Sequence, residues 1–342
     1  MDPLTHTLAG ANLASTRLGR KTPLAAAALV LGANLPDLDA ILYFTGHSDL
    51  ALGFRRGWTH GILAIFVLPV ILTALLIGFA RWRRIEVSPR WLLALSFLAV
   101  LTHPALDWLN NYGMRWLMPF DGTWTYGDSV FIMDPWLWLI LGCGWLIGRR
   151  PTPSLVATWA LFSAAIVWVV SGRSPGYLLV VGIVAAVLLG ALLWRTERSL
   201  ATAAVAIASL YIGARLTIHH VTAEHIRRQI PRVERLLVSP QPLDPLRWDI
   251  VAETPDGYRY GRFHWRTGLR LAPDVLPLPA DTPEWRAARG DPSIRGFMTW
   301  VRFPWYEIER TPAGTRVLVH DARYAVRRRP GGGFGGVVVD LP

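Results

Sequence analysis

The chain has 342 residues, 52% of them hydrophobic and only 17% charged, with 17 tryptophans and a formal net charge of +11. This composition describes a membrane protein more than a soluble enzyme, and the length allows more than one domain. The positive charge does not point to nucleic acid, because Arg and Lys gather at the ends of apolar segments and in the C-terminal third without an interleaved base-stacking pattern.

In chain order, residues 4–18 and 23–44 are short or interrupted apolar stretches, and residues 62–80, 91–101, 131–147, 155–170, 177–194 and 200–216 are apolar runs that mostly approach the ~20 residues needed to cross a bilayer. These runs predict an all-α polytopic membrane bundle of about eight helices over residues 1–220. Arg17, Arg20 and Lys21, then Arg81, Arg83, Arg84 and Arg90, then Arg149 and Arg150, then Arg195 and Arg198 fall at alternate connections. If these connections are cytoplasmic, the chain starts outside and crosses eight times. Residues 221–342 then lie on the outer, periplasmic side of an inner membrane. Cys143, the single cysteine, sits in an apolar run, so neither an internal disulfide nor a thiolate metal site is expected. The start, Met-Asp-Pro, has no basic n-region, and a retained N-terminus is expected.

Ionisable residues at membrane depth are costly unless they are paired, hydrated or bound to a metal. Counting from the basic anchors at 1.5 Å per helical residue, His6 lies roughly 17 Å from Arg17, Asp37 roughly 24 Å from Lys21 and His60 roughly 31 Å from Arg81. His103 and Asp107 lie roughly 20–25 Å from Arg90 on the same count. All fall in the outer half of the membrane. His103 and Asp107 are four apart, on one helical face, where both reach one metal; the alternative is a bundle hydrogen bond and a helix cap. In Asn34-Leu-Pro-Asp-Leu-Asp39 the two carboxylates converge only if the backbone is irregular after Pro36; otherwise one supports the other, or the stretch is a polar turn. Gly57-Trp-Thr-His60 is expected to open the next helix, with Thr59 as cap. His6, Asp37, His60, His103 and Asp107 are therefore the candidate ligands, with Asp39 as base or orienting residue. A mixed imidazole and carboxylate set suits zinc, one or two ions, or else manganese or iron, and magnesium stays open.

Met-Asp-Pro-Leu-Thr-His6, Leu35-Pro-Asp-Leu-Asp39, Arg56-Gly-Trp-Thr-His60, His103-Pro-Ala-Leu-Asp107-Trp, Asn111-Tyr-Gly-Met-Arg-Trp-Leu-Met-Pro-Phe120 and Phe131-Ile-Met-Asp134-Pro together resemble the YdjM/YbcI-like family of inner-membrane metal-dependent hydrolases. The resemblance covers roughly the first 150 residues. It implies a helical membrane bundle, and its His-x3-Asp pair is similar to the metal motif of zinc-dependent phospholipase C, a distant relative. The downstream ligands of a three-zinc cluster have no counterpart here, so one or two ions are expected.

Arg55, Arg56 and Arg115 fall on the outer side, where orientation does not need them; they could clamp an anionic phosphate or contact lipid headgroups. Gly331-Gly-Gly-Phe-Gly-Gly336 lacks the Lys-Ser/Thr ending of a phosphate loop and reads as a turn. After His219-His220 the composition shifts. Residues 248–250, 258–265, 297–303 and 316–320 read as strands, with turns at Pro255-Asp-Gly257 and Pro312-Ala-Gly314, predicting a small β-rich outer domain. The two histidines read as a solvated junction or an extension of the metal site. The leading expectation is a membrane hydrolase that acts on a phosphoester or lipid-linked substrate, with membrane lipids as partners and no nucleic acid. The alternatives are a non-catalytic metal-binding scaffold and a proton or ion pathway.

Overall fold

The computed structural model describes residues 1–45, 48–147, 197–312, 314–327 and 335–341. The expected segments 155–170 and 177–194, and most of the glycine run at 331–336, lie outside the described residues. The chain divides into two compact units, one made of Met1–Leu38, Arg56–Leu216 and Pro242–Pro245, the other of Asp39–Arg55, Thr217–Gln241 and Leu246–Pro342.

The first unit is helical: α1 (Pro3–Ser15), α2 (Ala25–Gly32), α4 (Ile62–Trp82), α5 (Pro89–Trp108), α6 (Pro135–Ile147) and the N-terminal part of α7 (Glu197–Arg227), with α3 (Ser48–Phe54) in the second unit. Among the described residues, three helices are long and apolar enough to cross a membrane: α4, α5 and Leu200–Arg227 of α7. Ala25–Gly32 and Leu35–Phe44, bent by 47°, make a fourth if taken as one broken span. The predicted eight-helix bundle is thus represented by three or four spans. Of the other two described segments, α1 has 13 residues, too short to cross alone as helix, and α6 runs to the edge of the described residues. Asp2 caps α1 by accepting from the Thr5 amide, and α1 ends where Thr16 turns extended and returns its hydroxyl to the Leu13 carbonyl.

Small residues bring these helices close. A Cβ on Gly10 of α1 would come within 2.6 Å of the Leu29 carbonyl oxygen, and one on Gly32 of α2 within 2.8 Å of Ala99 of α5. Such approaches are how membrane helices gain packing without a hydrophobic drive between them. Leu29, Leu72, Leu76, Leu92, Leu95 and Ala99 form one core of the unit; Leu8, Leu109, Val130, Leu137, Leu141 and Ala208 form another. Outside them, Phe66, Val70, Ile71 and Leu75 of α4 are exposed, as a lipid-facing side requires.

The second unit holds two antiparallel sheets, one of β1 (Arg235–Pro240), β2 (Arg247–Thr254), β3 (Gly257–His264) and β4 (Gly268–Leu271) in the order β1-β2-β3-β4, the other of β5 (Pro304–Thr311), β6 (Gly314–Asp321) and β7 (Gly336–Leu341) in the order β5-β6-β7. In β2 (Arg247–Thr254), Trp248, Ile250 and Ala252 face a core shared with Ile226 and Ile230, while Val251 faces one with Phe303 and Trp305. That alternation is the period-2 pattern of a strand buried on both sides. Pro255-Asp256 turns β2 into β3 (Gly257–His264), with Gly257 at φ +134°. Residues 297–303, expected as a strand, instead lie largely in a helix, Arg295–Trp300. Its first free amides, those of Gly296 and Phe297, donate to the Asp49 carboxylate at 2.8 and 2.9 Å, and Phe297 and Trp300 bury the same face three residues apart.

Candidate metal centre

The close helix contacts bring the ends of α2 and α5 together with the turn before α4. Asn34 closes α2 by donating to the Val30 carbonyl and accepting from Thr7 of α1. The chain then leaves regular helix as the 3-10 segment Leu35–Thr45, the irregular backbone that Pro36 announces. Asp37 projects from it. His60 sits in the turn ahead of α4, which begins only at Ile62 with Gly61 as N-cap, and Thr59 does not cap the helix: its hydroxyl lies 2.8 Å from Nδ1 of His60 and orients the ring.

Asp37, His60, His103 and Asp107 each offer one ligand atom, all within 4.8 Å of one another. Nε2 of His60 lies 3.1 Å from Nε2 of His103 and 3.2 Å from Oδ2 of Asp107; Nε2 of His103 lies 3.5 Å from the same oxygen. Oδ1 of Asp37 is 3.8 and 4.0 Å from the two imidazoles. Donors at about 2.0–2.1 Å from a tetrahedral ion stand about 3.3 Å apart. The atoms of His60, His103 and Asp107 have that spacing, and Asp37 stands wider and would close in on a bound ion.

The tautomers fit as well. Nδ1 of His103 lies 2.7 Å from the Ala33 carbonyl, which can only accept, so that nitrogen carries the proton. In the neutral ring Nε2 then turns a lone pair toward the centre, the arrangement in which a backbone carbonyl fixes a metal-binding imidazole. Two imidazole Nε2 atoms and two carboxylates converging in a buried space call for a cation between them. This cluster could hold a metal ion.

The other oxygen of Asp107 faces away from the four. Its Oδ1 accepts from Nη2 of Arg56 at 3.0 Å, lies 3.3 Å from Nε2 of His6 and pairs with the Met1 amino nitrogen. His6 is stacked on His103 at 3.7 Å between ring centres, beside the four-residue cluster. Arg56 is fully buried and also donates to the Asp107 carbonyl and to Oδ1 of Asn110, with its guanidinium over Tyr112. Expected as a phosphate clamp, it is bonded in the structure to Asp107, a candidate ligand. Arg115 donates its amide to the Arg56 carbonyl and lays its guanidinium over Trp124 and against Gly57, where a side chain would collide with it.

Asp39 and Arg55 belong to the second unit and pair at 3.6 Å, Arg55 also lying over Tyr43. His219 is in the same unit, with Nδ1 3.1 Å from the Val238 carbonyl and its ring packed against Trp248. Asp134 caps α6 through the Trp136 and Leu137 amides and accepts from Tyr211 at 3.0 Å. Sequence reasoning did not single out Asn110, Tyr112 or the Ala33 carbonyl. The first two adjoin or fall within the 111–120 stretch that carried the family resemblance, which was their only signal.

Membrane-crossing helices that enclose a buried His and Asp cluster define an integral membrane protein with a candidate metal centre. Residues 1–176 match the YdjM inner membrane protein family, and the chain belongs to it. Family and spans together place the protein in the inner membrane. It is also similar to a Bacillus subtilis (strain 168) protein described as uncharacterized protein YfhP, 30% identical over 112 residues, which is 33% of this chain and 33% of that relative. No solved structure matches.

Proposed function

We propose that this protein is a metal-dependent hydrolase, active on a phosphoester of a lipid-linked substrate at the outer face of the inner membrane. The observation that carries the reading is the convergence of His60, His103, Asp37 and Asp107, with the His103 tautomer fixed by Ala33. Zinc suits the set, and its expected stoichiometry is one ion, since Arg56 and His6 already take the Asp107 oxygen on which a second would need to sit. A divalent ion supplies Lewis acidity and lowers the pKa of a bound water.

The chain's own residues do the rest. Ala33 and Thr59 set the two imidazole rings, and Arg56 holds the Asp107 carboxylate in place and balances part of its charge. Asp37 has a side-chain exposure of 12% where the other three are closed to solvent, so water and substrate enter from its side. Arg115 is the arginine we assign to the phosphate, where a planar guanidinium stabilises charge that develops on the oxygens. The alternating basic connections support a periplasmic position for residues 221–342.

The test is turnover. Purified, zinc-loaded protein should cleave bis(4-nitrophenyl) phosphate or phospholipid vesicles, and His103→Ala should abolish the activity. Turnover no higher than that of the chelated protein would leave a metal-binding scaffold in place of an enzyme.

A further inference from the structure

The first unit holds a second feature, at the opposite end of α4 and α5 from the cluster. His60 stands just ahead of α4, and Arg81, Arg83 and Arg84 close it; His103 and Asp107 lie in the last turns of α5, and Arg90 in its first. A 21-residue helix sets its ends about 30 Å apart. The Ser88 amide donates to the Thr22 hydroxyl at 2.8 Å, which joins the α4–α5 connection to the one between α1 and α2, and Leu18, Leu24 and Val87 pack against one core. Nζ of Lys21 lies 4.5 Å over the Trp91 ring. Arg17, Arg20 and Lys21 are thereby brought beside Arg81, Arg83, Arg84 and Arg90. All seven are exposed, and Glu86 is the one acid of the two connections.

Orientation in the membrane needs positive charge in such connections but not at a particular position. Arg84 carries a more specific sign. Its amide donates to the Arg81 carbonyl at 3.2 Å and the Ile85 amide to the Ala80 carbonyl at 2.8 Å, the Schellman pattern that ends a helix, and Arg84 takes the left-handed position of that motif at φ +55°. Glycine is the usual residue there, because a Cβ crowds the backbone in that conformation. The dipole at the end of α4 is already met by Arg81 and Arg83, so an arginine at this costly point has another use. Residues 148–196, outside the described residues, cannot neutralise the patch, since they include four arginines and no Asp or Glu. The exposed rings of Trp82 and Trp91 flank it at the ends of two spanning helices, where a bilayer presents its headgroups. A phosphate anchored in the membrane is the anion that meets seven cations at that level.

We propose that the two joined connections bind the headgroup of an anionic phospholipid, with Arg84 as a phosphate contact. The inference does not rest on the hydrolase reading. Its test is lipid binding by the full chain, purified in a neutral detergent and followed by native mass spectrometry with dioleoyl phosphatidylglycerol or dioleoyl phosphatidylcholine. The wild type should bind phosphatidylglycerol about tenfold more tightly or better, and Arg84→Gly and Arg17→Gln should each weaken that binding about fivefold, the contribution of one cation at an anionic surface. Arg270→Gln, at an exposed arginine of β4 in the second unit, should change nothing, and Arg84→Gly should unfold no earlier than wild type. Equal affinity for the two lipids, full phosphatidylglycerol binding by Arg84→Gly, or an equal loss in Arg270→Gln would overturn the proposal. So would a lower unfolding temperature of Arg84→Gly, which would make the arginine a structural residue, or displacement of the phospholipid by a single-stranded oligonucleotide at equal concentration, which would make the patch a general polyanion surface.

Discussion

At the scale of single residues, the pair most visible in the sequence was the pair with the simplest geometry. His103 and Asp107 needed only the helical period to share a face, and both point into the cluster. Arg56 was harder to read. It sits at φ +53°, a conformation rare outside glycine, and the sequence Arg-Gly does not reveal that this turn aims the guanidinium inward at Asp107. Replacing it should be costly: Arg56→Met takes the guanidinium partner from a buried carboxylate, and the loss should be about 3–5 kcal/mol in metal-free protein. Zinc, which neutralises the same carboxylate, should restore part of that stability. Thermal unfolding with and without zinc checks this, and equal losses in both states would deny Arg56 the bracing role.

At the scale of elements, backbone irregularity and close approach decide what the sequence could and could not show. Pro36 announced a break, and the 3-10 segment it introduces takes Asp37 into the cluster. The same break separates Asp39, which pairs with Arg55. Gly10 and Gly32 carried no signal as isolated letters, yet they set the spacing of α1, α2 and α5. Gly10→Val should therefore overpack the α1–α2 contact at a cost of about 1–3 kcal/mol and weaken metal retention, read as a lower midpoint in a chelator titration. Residues 297–303 were misread because aromatic and β-branched residues suit strands, while the capping acceptor that makes them helical, Asp49, is distant in sequence. Asp49→Ala should cost about 1–2 kcal/mol and speed amide exchange over residues 295–300. Unchanged exchange there would show that the cap does not hold the helix.

At the scale of the molecule, apolar length identified α4, α5 and α7 correctly because a bilayer imposes one length on any spanning helix. At α1 the apolar run extends past the helix, which ends at Ser15 where Thr16 turns extended, since hydropathy does not register where a cap ends a helix. The β-rich second unit was legible from its turn residues and alternation, whereas the inclusion of Asp39–Arg55 in it was not, because that association is made by tertiary contacts alone. The proposed topology puts Arg84 in the cytoplasm and residues 221–342 in the periplasm. Alkaline phosphatase fused after Arg84 should be inactive and a fusion at the C-terminal end active; the opposite pair of results would invert the map and move the cluster to the inner leaflet.

The central claim is that four side chains from three separate stretches of chain bind one metal ion. Elemental analysis of protein purified without added metal, wild type beside His103→Ala with Asp107→Ala, tests it most directly. The account predicts about one equivalent of zinc in the wild type, from a single tetrahedral site, and its loss in the double variant. A wild-type protein without stoichiometric metal, or a double variant that keeps it, would contradict the account.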